Sequence, residues 1–372
     1  MFDNHAVWLP SKGASLKYGP APYTAPASNE IVVQNRAVAV NPLDWLLQSV
    51  GDIIYPWLRY PFVLGSDVAG EVVQVGVAVT RFKVGDRVLG HAVGSDKNRN
   101  NSAEGGFQLY TVVLAHMACP IPPSMAFESA VVLPLGLSTA ASALFQNDLL
   151  ALQPPTAAIA KTGKVVLIWG GSTSVGNNAI QLAAAAGYEV IATASPKNFA
   201  HLRSLGASEV IDYRSKSAVP DITTVIAGRE FVGAVAIGSG AAGACIEIAA
   251  RCHGKRFVAI ATPQMSMDGI MAVRGNRLRF LLAMINFIAA TILVTIKAKW
   301  RGVSTKFIFG TSLKENQVSH LIYEDFLPAA LAEGRYLALP EPLVAGSGLE
   351  SIQAAVALHR NGVSARKVVV TL

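Results

Sequence analysis

A turn rich in glycine and hydroxyl residues is the stretch most able to do chemistry. The letters VLIWGGSTSVGNNAIQLA, residues 166–183, run from an apolar segment through this turn into a helical pattern. In the dinucleotide fingerprint, the first glycine permits a tight turn, the second lets the backbone approach a pyrophosphate, and the third lets the helix pack closely on the strand. Counted from Gly171, the third glycine is Gly176, but Thr173 stands at the second position.

The helix that follows the turn is suited to bind an anion, because backbone N–H groups at a helix N-terminus attract negative charge whatever side chains surround them. The turn adds hydroxyl donors to these groups. We therefore predict a pyrophosphate site whose contacts come from Gly171, Ser172, Thr173, Ser174, Val175 and Gly176. The alternative is a plain Gly-Ser turn that caps a helix.

The end of the second predicted strand decides which nucleotide fits. For NAD, an Asp or Glu is expected about 20 residues after the turn, where it bonds the ribose hydroxyls. Here the strand ends in TASPKN, in which Ser195 can donate to a 2′-phosphate, Lys197 can neutralise it, and Asn198 lies beside them. We therefore predict NADPH. Tyr213 and Arg214, at the end of the third strand, could reach the same phosphate, or they could form an ordinary strand end on the surface.

The elements around this turn alternate between strand and helix. Short apolar strands that alternate with helical segments are typical of a parallel, doubly wound α/β sheet, so we predict a Rossmann-like domain. The candidate strands are KVVLIWG (164–170), EVIATAS (189–195), EVIDYR (209–214), AVAIGS (234–239), RFVAIAT (256–262) and TKFIFGT (305–311).

The first part of the chain has a different pattern of predicted secondary structure. Residues 1–134 contain short β-rich runs separated by Gly, Pro and Asp, which predicts a compact, mostly β domain. The tail from residue 334 onward returns to short strands with one helix, so we expect it to complete that first domain.

Composition limits the class of protein. Of the 372 residues, 52% are hydrophobic and 15% are charged, with a mean hydropathy of +0.40, which excludes a disordered chain and leaves open contact with lipid or with an apolar ligand. The net charge is +7, but Lys and Arg are scattered, so we expect no nucleic-acid partner. Three cysteines without a C-x-x-C pair predict neither a disulfide framework nor a zinc site. The first residues do not resemble a secretory signal, which predicts a cytoplasmic protein.

One apolar segment, FLLAMINFIAATILVTI at 280–296, stands apart from this scheme. Basic residues flank it on both sides: Arg274, Arg277 and Arg279 before it, and Lys297, Lys299 and Arg301 after it. Its length reaches only the short end of a membrane span, and a span inside a Rossmann sheet would break the fold. We interpret it first as a buried or subunit-interface helix between the last two strands. The alternatives are a lid over an apolar substrate site, resting on a membrane surface, and a true span.

Several motifs together carry a resemblance to a known family. They are RAVAVNPLDW (36–45), YPFVLGSDVAGEVVQVG (60–76), FKVGDRVLG (82–90), GGFQLYTVV (105–113), LGLSTAASAL (135–144), the glycine turn, and GVSARKVVVTL (362–372). The chain resembles the medium-chain dehydrogenase/reductase superfamily, in its zinc-independent branch of quinone and enoyl reductases, and looks most like fungal enoyl reductases that act in trans with polyketide synthases. The resemblance implies a GroES-like catalytic domain (1–134), a Rossmann domain (135–311) and a C-terminal segment (312–372) that completes the first. It also implies a polyketide synthase as partner, and a monomer or homodimer.

The same resemblance implies that no catalytic zinc is bound. The alcohol dehydrogenases of the superfamily place a zinc-ligating Cys near the position of Asn41 and a His in the triplet where this chain has Ser66. Neither residue here is a proper zinc ligand. Asn41 and Asp44 instead match the floor of the family's active-site cleft and are the candidate catalytic residues. Asn41 as a structural turn residue before Pro42 is the alternative.

Further positions carry over to the cofactor. Thr139 matches a hydroxyl near the nicotinamide carboxamide. Ile237 and Gly238 match the end of the fourth strand, beside the ribose. Phe309 and Gly310 match the last sheet strand, whose end borders the nicotinamide.

The expected chemistry is hydride transfer from NADPH to an electron-poor carbon of a small apolar substrate, such as the β-carbon of an enone or enoyl thioester. Asn41 could polarise the substrate oxygen. His91, Tyr110 and His116 are candidate proton donors, with packing residues as the alternative. An NADPH:quinone reductase and a catalytically silent NADPH-binding protein are the competing functions.

Overall fold

The computed structural model describes residues 2–156, 159–263 and 277–372. The chain divides into two compact units, one formed by Met1–Ser138 with Leu313–Leu372 and the other by Thr139–Ser312.

The described residues form the following elements. The strands are β1 (Asn4–Leu9), β2 (Lys17–Ala21), β3 (Glu30–Ala39), β4 (Phe62–Val63), β5 (Asp67–Val75), β6 (Arg87–His91), β7 (Tyr110–Leu114), β8 (Ala118–Pro120), β9 (Lys164–Trp169), β10 (Glu189–Ala194), β11 (Ala207–Asp212), β12 (Glu230–Ala236), β13 (Phe257–Ile260), β14 (Ser304–Phe307), β15 (Glu341–Ser347) and β16 (Arg366–Thr371). The α-helices are α1 (Pro42–Val50), α2 (Phe127–Ala130), α3 (Pro134–Phe145), α4 (Ser174–Ala185), α5 (Phe199–Ser204), α6 (Ala218–Ile226), α7 (Ala241–Arg251), α8 (Arg277–Trp300), α9 (Val318–His320), α10 (Leu327–Ala332) and α11 (Ile352–Arg360).

The first unit is built around a largely antiparallel sheet whose long central strand is β3. The order is β15-β16-β3-β5-β6-β8, and β7 also pairs with β3. The core of this unit includes Val38, Val68 and Val370, one from each of three neighbouring strands. Since β16 pairs with β3, residues 369–371 lie directly beside residues 37–39.

The second unit contains a six-stranded parallel sheet in the order β11-β10-β9-β12-β13-β14. This is the order of a doubly wound dinucleotide-binding sheet, in which the winding reverses between the first and fourth strands, here β9 and β12. The four central residues of β9, 165–168, are fully buried, as expected where helices cover both faces of a parallel sheet. The predicted α/β Rossmann fold is therefore confirmed.

The last strand of this sheet is shorter than its sequence pattern predicts. Strand β14 ends at Phe307, so the assignment of Phe309 and Gly310 to it is wrong. The last ladder contact is the bond from Ile308 N to Ile260 O at 2.9 Å. Beyond it the chain turns, because the carbonyl of Phe309 accepts from the backbone N–H and the hydroxyl of Ser312.

Helix α8 corresponds to the apolar segment between the last two strands. Among the described residues, two helical stretches are long and apolar enough to cross a membrane. Phe127–Phe145, which contains α2 and α3, lies largely in the core, with 72% of its most apolar part buried, whereas none of the most apolar part of Leu278–Trp300 is buried. The interpretation of α8 as a helix buried inside its own chain is therefore wrong. An interface, a lid and a membrane contact stay open as alternatives.

Candidate functional site

The glycine turn connects β9 to α4, and Thr173 is the residue that begins the helix. The Thr173 hydroxyl accepts from the backbone N–H of Gly176 at 3.0 Å and donates to the carbonyl of Gly170 at 2.8 Å. This is an N-cap, in which a side-chain oxygen satisfies an N–H that has no partner in the helix. Thr173 therefore stands at the position of the second glycine and stabilises the helix start with its side chain.

The glycines of the turn are required by close backbone approach. A Cβ on Gly176 would lie 2.3 Å from the carbonyl oxygen of Gly170, so the first turn of α4 can pack on the strand end only with glycine there. Gly170 has a φ of +89°, and its Cβ would lie 2.5 Å from the carbonyl oxygen of Ile237. The ends of β9 and β12 are thereby brought together, and Ile237 N donates to Trp169 O at 3.0 Å.

The remaining residues of the turn surround this helix start. Gly171 donates to Thr193 O at 2.8 Å, which holds the turn against the end of β10. Ser172 and Val175 are half-buried. The hydroxyl of Ser174 is buried and has no hydrogen-bond partner within the described part of the chain. A buried hydroxyl without a partner at a helix N-terminus suits an anionic ligand that would complete its bonding.

The end of β12 leaves room beside the turn. Gly238 has a φ of +104°, and a Cβ built on it would meet nothing within 4 Å among the described residues. Its backbone N–H donates to the hydroxyl of Thr262 at 3.0 Å. This opening lies at the switch point of the sheet, which is where ligands bind in doubly wound folds.

The residues predicted to select the nucleotide meet at the neighbouring strand ends. β10 and β11 are parallel and pair Ala194 with Asp212, so Ser195 and Tyr213 follow at equivalent places. Hydrogen bonds from Ser195 and Arg214 lower the pKa of the Tyr213 hydroxyl. The Arg214 guanidinium lies 5.3 Å from the centre of the Tyr213 ring. The structure therefore brings Ser195, Tyr213 and Arg214 together at the surface.

Two other predicted residues belong to the short turn after β10. Lys197 and Asn198 lie in the 3-10 turn Pro196–Asn198, and Asn198 N donates to Ser195 O at 2.9 Å. Lys197 is exposed, two residues after Ser195, where its ammonium is accessible to an anion. Their contacts with a nucleotide stay a prediction.

The residues predicted near the nicotinamide are spread over separate elements. Thr139 is half-buried on α3, and Gly310 begins the 3-10 turn Gly310–Glu315. Phe309 is exposed, with its ring centre 5.2 Å from that of Phe307. Their roles stay predictions.

The candidate catalytic residues of the first unit lie in a buried charged cluster. The amide nitrogen of Asn41 donates to Asp67 Oδ2 at 2.8 Å, and its oxygen accepts from the Lys367 ammonium. Lys367 also pairs with Asp67 Oδ2 at 2.8 Å, although the two side chains are only 4% and 0% exposed. Both ends of the Asn41 amide are thus bonded within the protein. Its role as a polariser of substrate stays a prediction.

Asp44 lies beside this cluster at the start of α1. Its carboxylate accepts the backbone N–H of Asn41 at 2.7 Å and that of Gly65 at 3.2 Å. The first bond, together with the one in which the Asn41 side chain accepts from the backbone N–H of Asp44, forms a capping box. Burial nevertheless raises the pKa of Asp44 to about 7, and the nearby Asp67 adds to this increase.

His91 is the one candidate proton donor that the structure places next to this cluster. Its Nδ1 lies 2.9 Å from the Ser138 hydroxyl, which lies 2.8 Å from the Tyr323 hydroxyl. Burial lowers the pKa of His91 to about 4, so the ring is neutral at neutral pH. Its Nε2 is buried without a hydrogen-bond partner among the described residues.

Tyr110 and His116 have neighbours typical of packing residues. The Tyr110 ring lies 5.2 Å from Phe2 and 5.5 Å from Tyr23, in an aromatic cluster. The His116 ring is stacked on His320 at 5.1 Å. Both side chains therefore pack against rings of their own unit.

Sequence reasoning missed Asp67, Lys367 and Tyr323 as members of the buried cluster. A signal was present for two of them, because each charge borders an apolar strand: Asp67 begins DVAGEVV and Lys367 precedes VVV. Charged residues in such strands are paired when buried.

Comparisons with known proteins agree with this architecture. The model of the alcohol dehydrogenase GroES-like domain matches residues 27–123, which confirms the GroES-like fold of the first unit. The sequence is 52% identical to Dehydrogenase pigH of Monascus ruber over 100% of both chains. It is 39% identical to Trans-enoyl reductase himH of Aspergillus japonicus, over 99% of this chain and 97% of the relative. The crystal structure of CurK enoyl reductase matches 99% of both chains with a TM-score of 0.72 at 22% identity, and so has the same fold.

Proposed function

Because the chain belongs to the medium-chain dehydrogenase/reductase superfamily and is an oxidoreductase of that superfamily, we propose that it reduces activated carbon–carbon double bonds with NADPH and without zinc. The substrates are enones or enoyl thioesters. The observation that carries the proposal is the buried, unpartnered hydroxyl of Ser174 at the N-terminus of α4, beside a backbone cradle that only glycine permits.

The choice of NADPH is supported by the group of residues at the ends of β10 and β11. Ser195, Tyr213 and Arg214 form a group of hydroxyl and guanidinium donors, and the exposed Lys197 follows Ser195 by two residues; donors of these types match a phosphate. The nearby carboxylate of Asp212 accepts the backbone N–H of Arg214 at 3.0 Å, so that carboxylate is engaged in its own turn. A 2′-phosphate would complete this group.

The absence of zinc is supported by the bonding of Asn41. In the zinc enzymes of the superfamily, this region provides metal ligands, but here an ammonium group, that of Lys367, bonds to Asn41 and Asp67. A cation next to that ammonium would be repelled. Among the described residues, no group of three or more His, Cys, Asp or Glu side chains is arranged to hold a metal ion.

A bound NADPH supplies the hydride, and the chain supplies binding and orientation. The N-terminus of α4 holds the pyrophosphate, and the residues after β10 and β11 hold the adenosine end. The turn is fixed to β10 by the bond from Gly171 N to Thr193 O, and Ser195 follows the same strand, so the two sites share one element. Orientation of this kind accounts for much of the rate enhancement when the cofactor carries the difficult step.

The substrate class is supported by a whole-length relative, since the 39% identical protein of Aspergillus japonicus is named a trans-enoyl reductase. We extend the proposal to an acyl chain delivered by a polyketide synthase. The test is NADPH consumption by the full chain with enoyl thioesters, enones and quinones, together with mass spectrometry of products made with deuterated NADPH. Deuterium at the β-carbon of the reduced thioester or enone is the expected result. Turnover of quinones alone would make the protein a quinone reductase, and NADPH binding without turnover would make it a binding protein.

The nucleotide assignment has its own test. Lys197→Ala is expected to weaken NADPH binding about tenfold and to leave NADH binding unchanged, because it removes one charge-assisted bond to the 2′-phosphate. Lys161→Ala is the matched control, since Lys161 is an exposed lysine that precedes β9. Equal NADPH affinity of the two variants would contradict the assignment.

A further inference from the structure

Helix α8 exposes a continuous apolar stripe, the outer face, formed by Leu281, Ile285, Ile288, Ile292 and Ile296. Each of these side chains is 51–57% exposed. Their spacing of three and four residues places them on one side of an α-helix. At 1.5 Å per residue the stripe is about 22 Å long, on a helix of about 36 Å. Contiguous apolar surfaces of this kind mark sites of interaction with protein or lipid.

The hydroxyl groups near the outer face are satisfied by the helix itself. Thr291 donates to the carbonyl of Phe287 at 2.9 Å, and Thr295 donates to the carbonyl of Thr291 at 3.0 Å. Because these donors are already bonded, moving the helix out of water would leave no threonine hydroxyl unpaired. The outer face is therefore suited to an apolar environment.

The opposite side of the helix is attached to the second unit. Ala298 is buried in the core cluster that includes α7, and Val294 packs against the same cluster. Lys297 and Arg301 pair with Glu247 of α7 at 2.9 and 3.2 Å. Because the C-terminal turns of α8 are held against α7 on one side, the outer face there points away from the unit, and this geometry fits a helix that lies in a membrane surface.

The basic residues at the two ends of α8 distinguish between a second copy of the chain and a membrane as the partner of the outer face. At the C-terminal end, Lys297, Arg301 and Arg251 share the carboxylate of Glu247, and the exposed Lys299 adds a further positive charge. Arg279 lies at the other end of the helix. A second copy of α8, parallel or antiparallel, would bring these cations against one another, whereas anionic headgroups would neutralise both ends.

The C-terminal end also has the side chains that mark a membrane interface. Trp300 is 82% exposed, and an indole ring with one polar N–H favours the boundary between headgroups and acyl chains. Lys299 lies three residues after Ile296 and so on the same side of the helix as the outer face. Its apolar stem can lie along the acyl region while its ammonium reaches the headgroups.

We propose that α8 binds the protein to an anionic membrane surface, with the outer face at the level of the acyl chains and the basic ends among the headgroups. The helix lies parallel to the surface. This property is independent of the reaction and does not depend on the identity of the substrate.

The test is sedimentation of the full chain with vesicles of phosphatidylcholine alone and of phosphatidylcholine with phosphatidylserine. The unmodified protein is expected to bind the anionic vesicles at least tenfold more tightly. Ile288→Ser with Ile292→Ser should weaken this binding about 25-fold, since each half-exposed isoleucine contributes about fivefold. The matched control is Val77→Ser with Val84→Ser, which also replaces two exposed apolar residues and should change binding less than twofold. Lys299→Ala should weaken binding about fivefold, and to anionic vesicles alone.

A second measurement does not rely on these variants. Trp300 fluorescence should be quenched by lipids brominated near the headgroup, and the quenching should be reduced in Trp300→Phe. Equal binding to neutral and anionic vesicles, or equal binding by both double variants, would overturn the proposal. So would a dimer in the absence of lipid that the Ile288/Ile292 double variant converts to a monomer, since the outer face would then join two copies. A raised KM for long-chain substrates in that variant, with no vesicle binding, would instead identify a lid.

Discussion

Replacing Lys367 by methionine should strongly destabilise the first unit. The Lys367 ammonium lies 2.8 Å from the carboxylate of Asp67, and the two side chains are almost fully buried. At this distance, with an effective dielectric constant of about 20, their attraction is about 6 kcal/mol. Methionine removes the positive charge and leaves Asp67 with two neutral donors, Asn41 Nδ2 and the backbone N–H of Leu135. Loss of one partner from a buried pair lowers the free energy of unfolding by about 3–5 kcal/mol, which is the expected change.

The assay is urea unfolding of the full chain, followed by circular dichroism. Arg366→Met is the matched control, because Arg366 precedes Lys367 in β16 but is half exposed and lies 3.7 Å from Glu341. That change should lower the free energy of unfolding by less than about 1 kcal/mol. Adding Asp67→Asn to Lys367→Met should recover part of the loss, since no uncompensated charge would then be buried. If Lys367→Met is no more destabilising than Arg366→Met, the buried cluster is not held by this charge pair.

Three further predictions concern pH and the glycine turn. Burial lowers the pKa of His91 to about 4 and raises that of Asp44 to about 7, so near pH 5 the unfolded chain binds a proton at His91 and the folded chain binds one at Asp44. Between about pH 4 and pH 7, the free energy of unfolding of His91→Phe, relative to that of the unmodified protein, should therefore fall as pH rises, and that of Asp44→Asn should rise. Each change should amount to at most about 1.4 kcal/mol per pH unit. If the free energies of unfolding of the variants and of the unmodified protein depend on pH in the same way, this assignment is wrong. Thr173→Ala should lower the free energy of unfolding by about 1 kcal/mol through loss of the N-cap, while Thr173→Ser should retain it; equal urea midpoints of the two variants would refute the cap. Ser174→Ala should keep the urea midpoint and weaken NADPH binding about fivefold in a titration, because its hydroxyl is free to bond a ligand; an unchanged affinity would contradict that contact.

The parallel sheet and its glycine turn could be predicted because their signals are local. Each strand is a short apolar run, and the order of a doubly wound sheet follows from the alternation of strands and helices. The same reasoning grouped Ser195 with Tyr213, because both follow neighbouring strands. It could not determine the role of Thr173, since the choice between a ligand contact and an N-cap depends on the direction of one hydroxyl group.

The buried cluster was less predictable because its members are far apart in the sequence. Lys367 meets Asn41 only because β16 pairs with β3, and no local pattern specifies that pairing. The exposure of α8 could not be read from composition either. A run of Leu, Ile and Phe is compatible with the core of a protein, with an interface and with lipid, and the surrounding fold decides which of these applies.

The pairing of β16 with β3 also sets an order of events during synthesis. Residues 139–312, which form the whole second unit, are translated after β3 and before β15 and β16. A domain generally folds once its own residues have emerged, so the parallel sheet can form while β3 still lacks the neighbour it has at Ala37–Ala39. Until then Asp67 is without its ammonium partner and the edge of β3 is open to other chains. Strand β16 therefore completes both the hydrogen bonding of β3 and the charge balance of Asp67 in one step, after residues 139–312 have been translated.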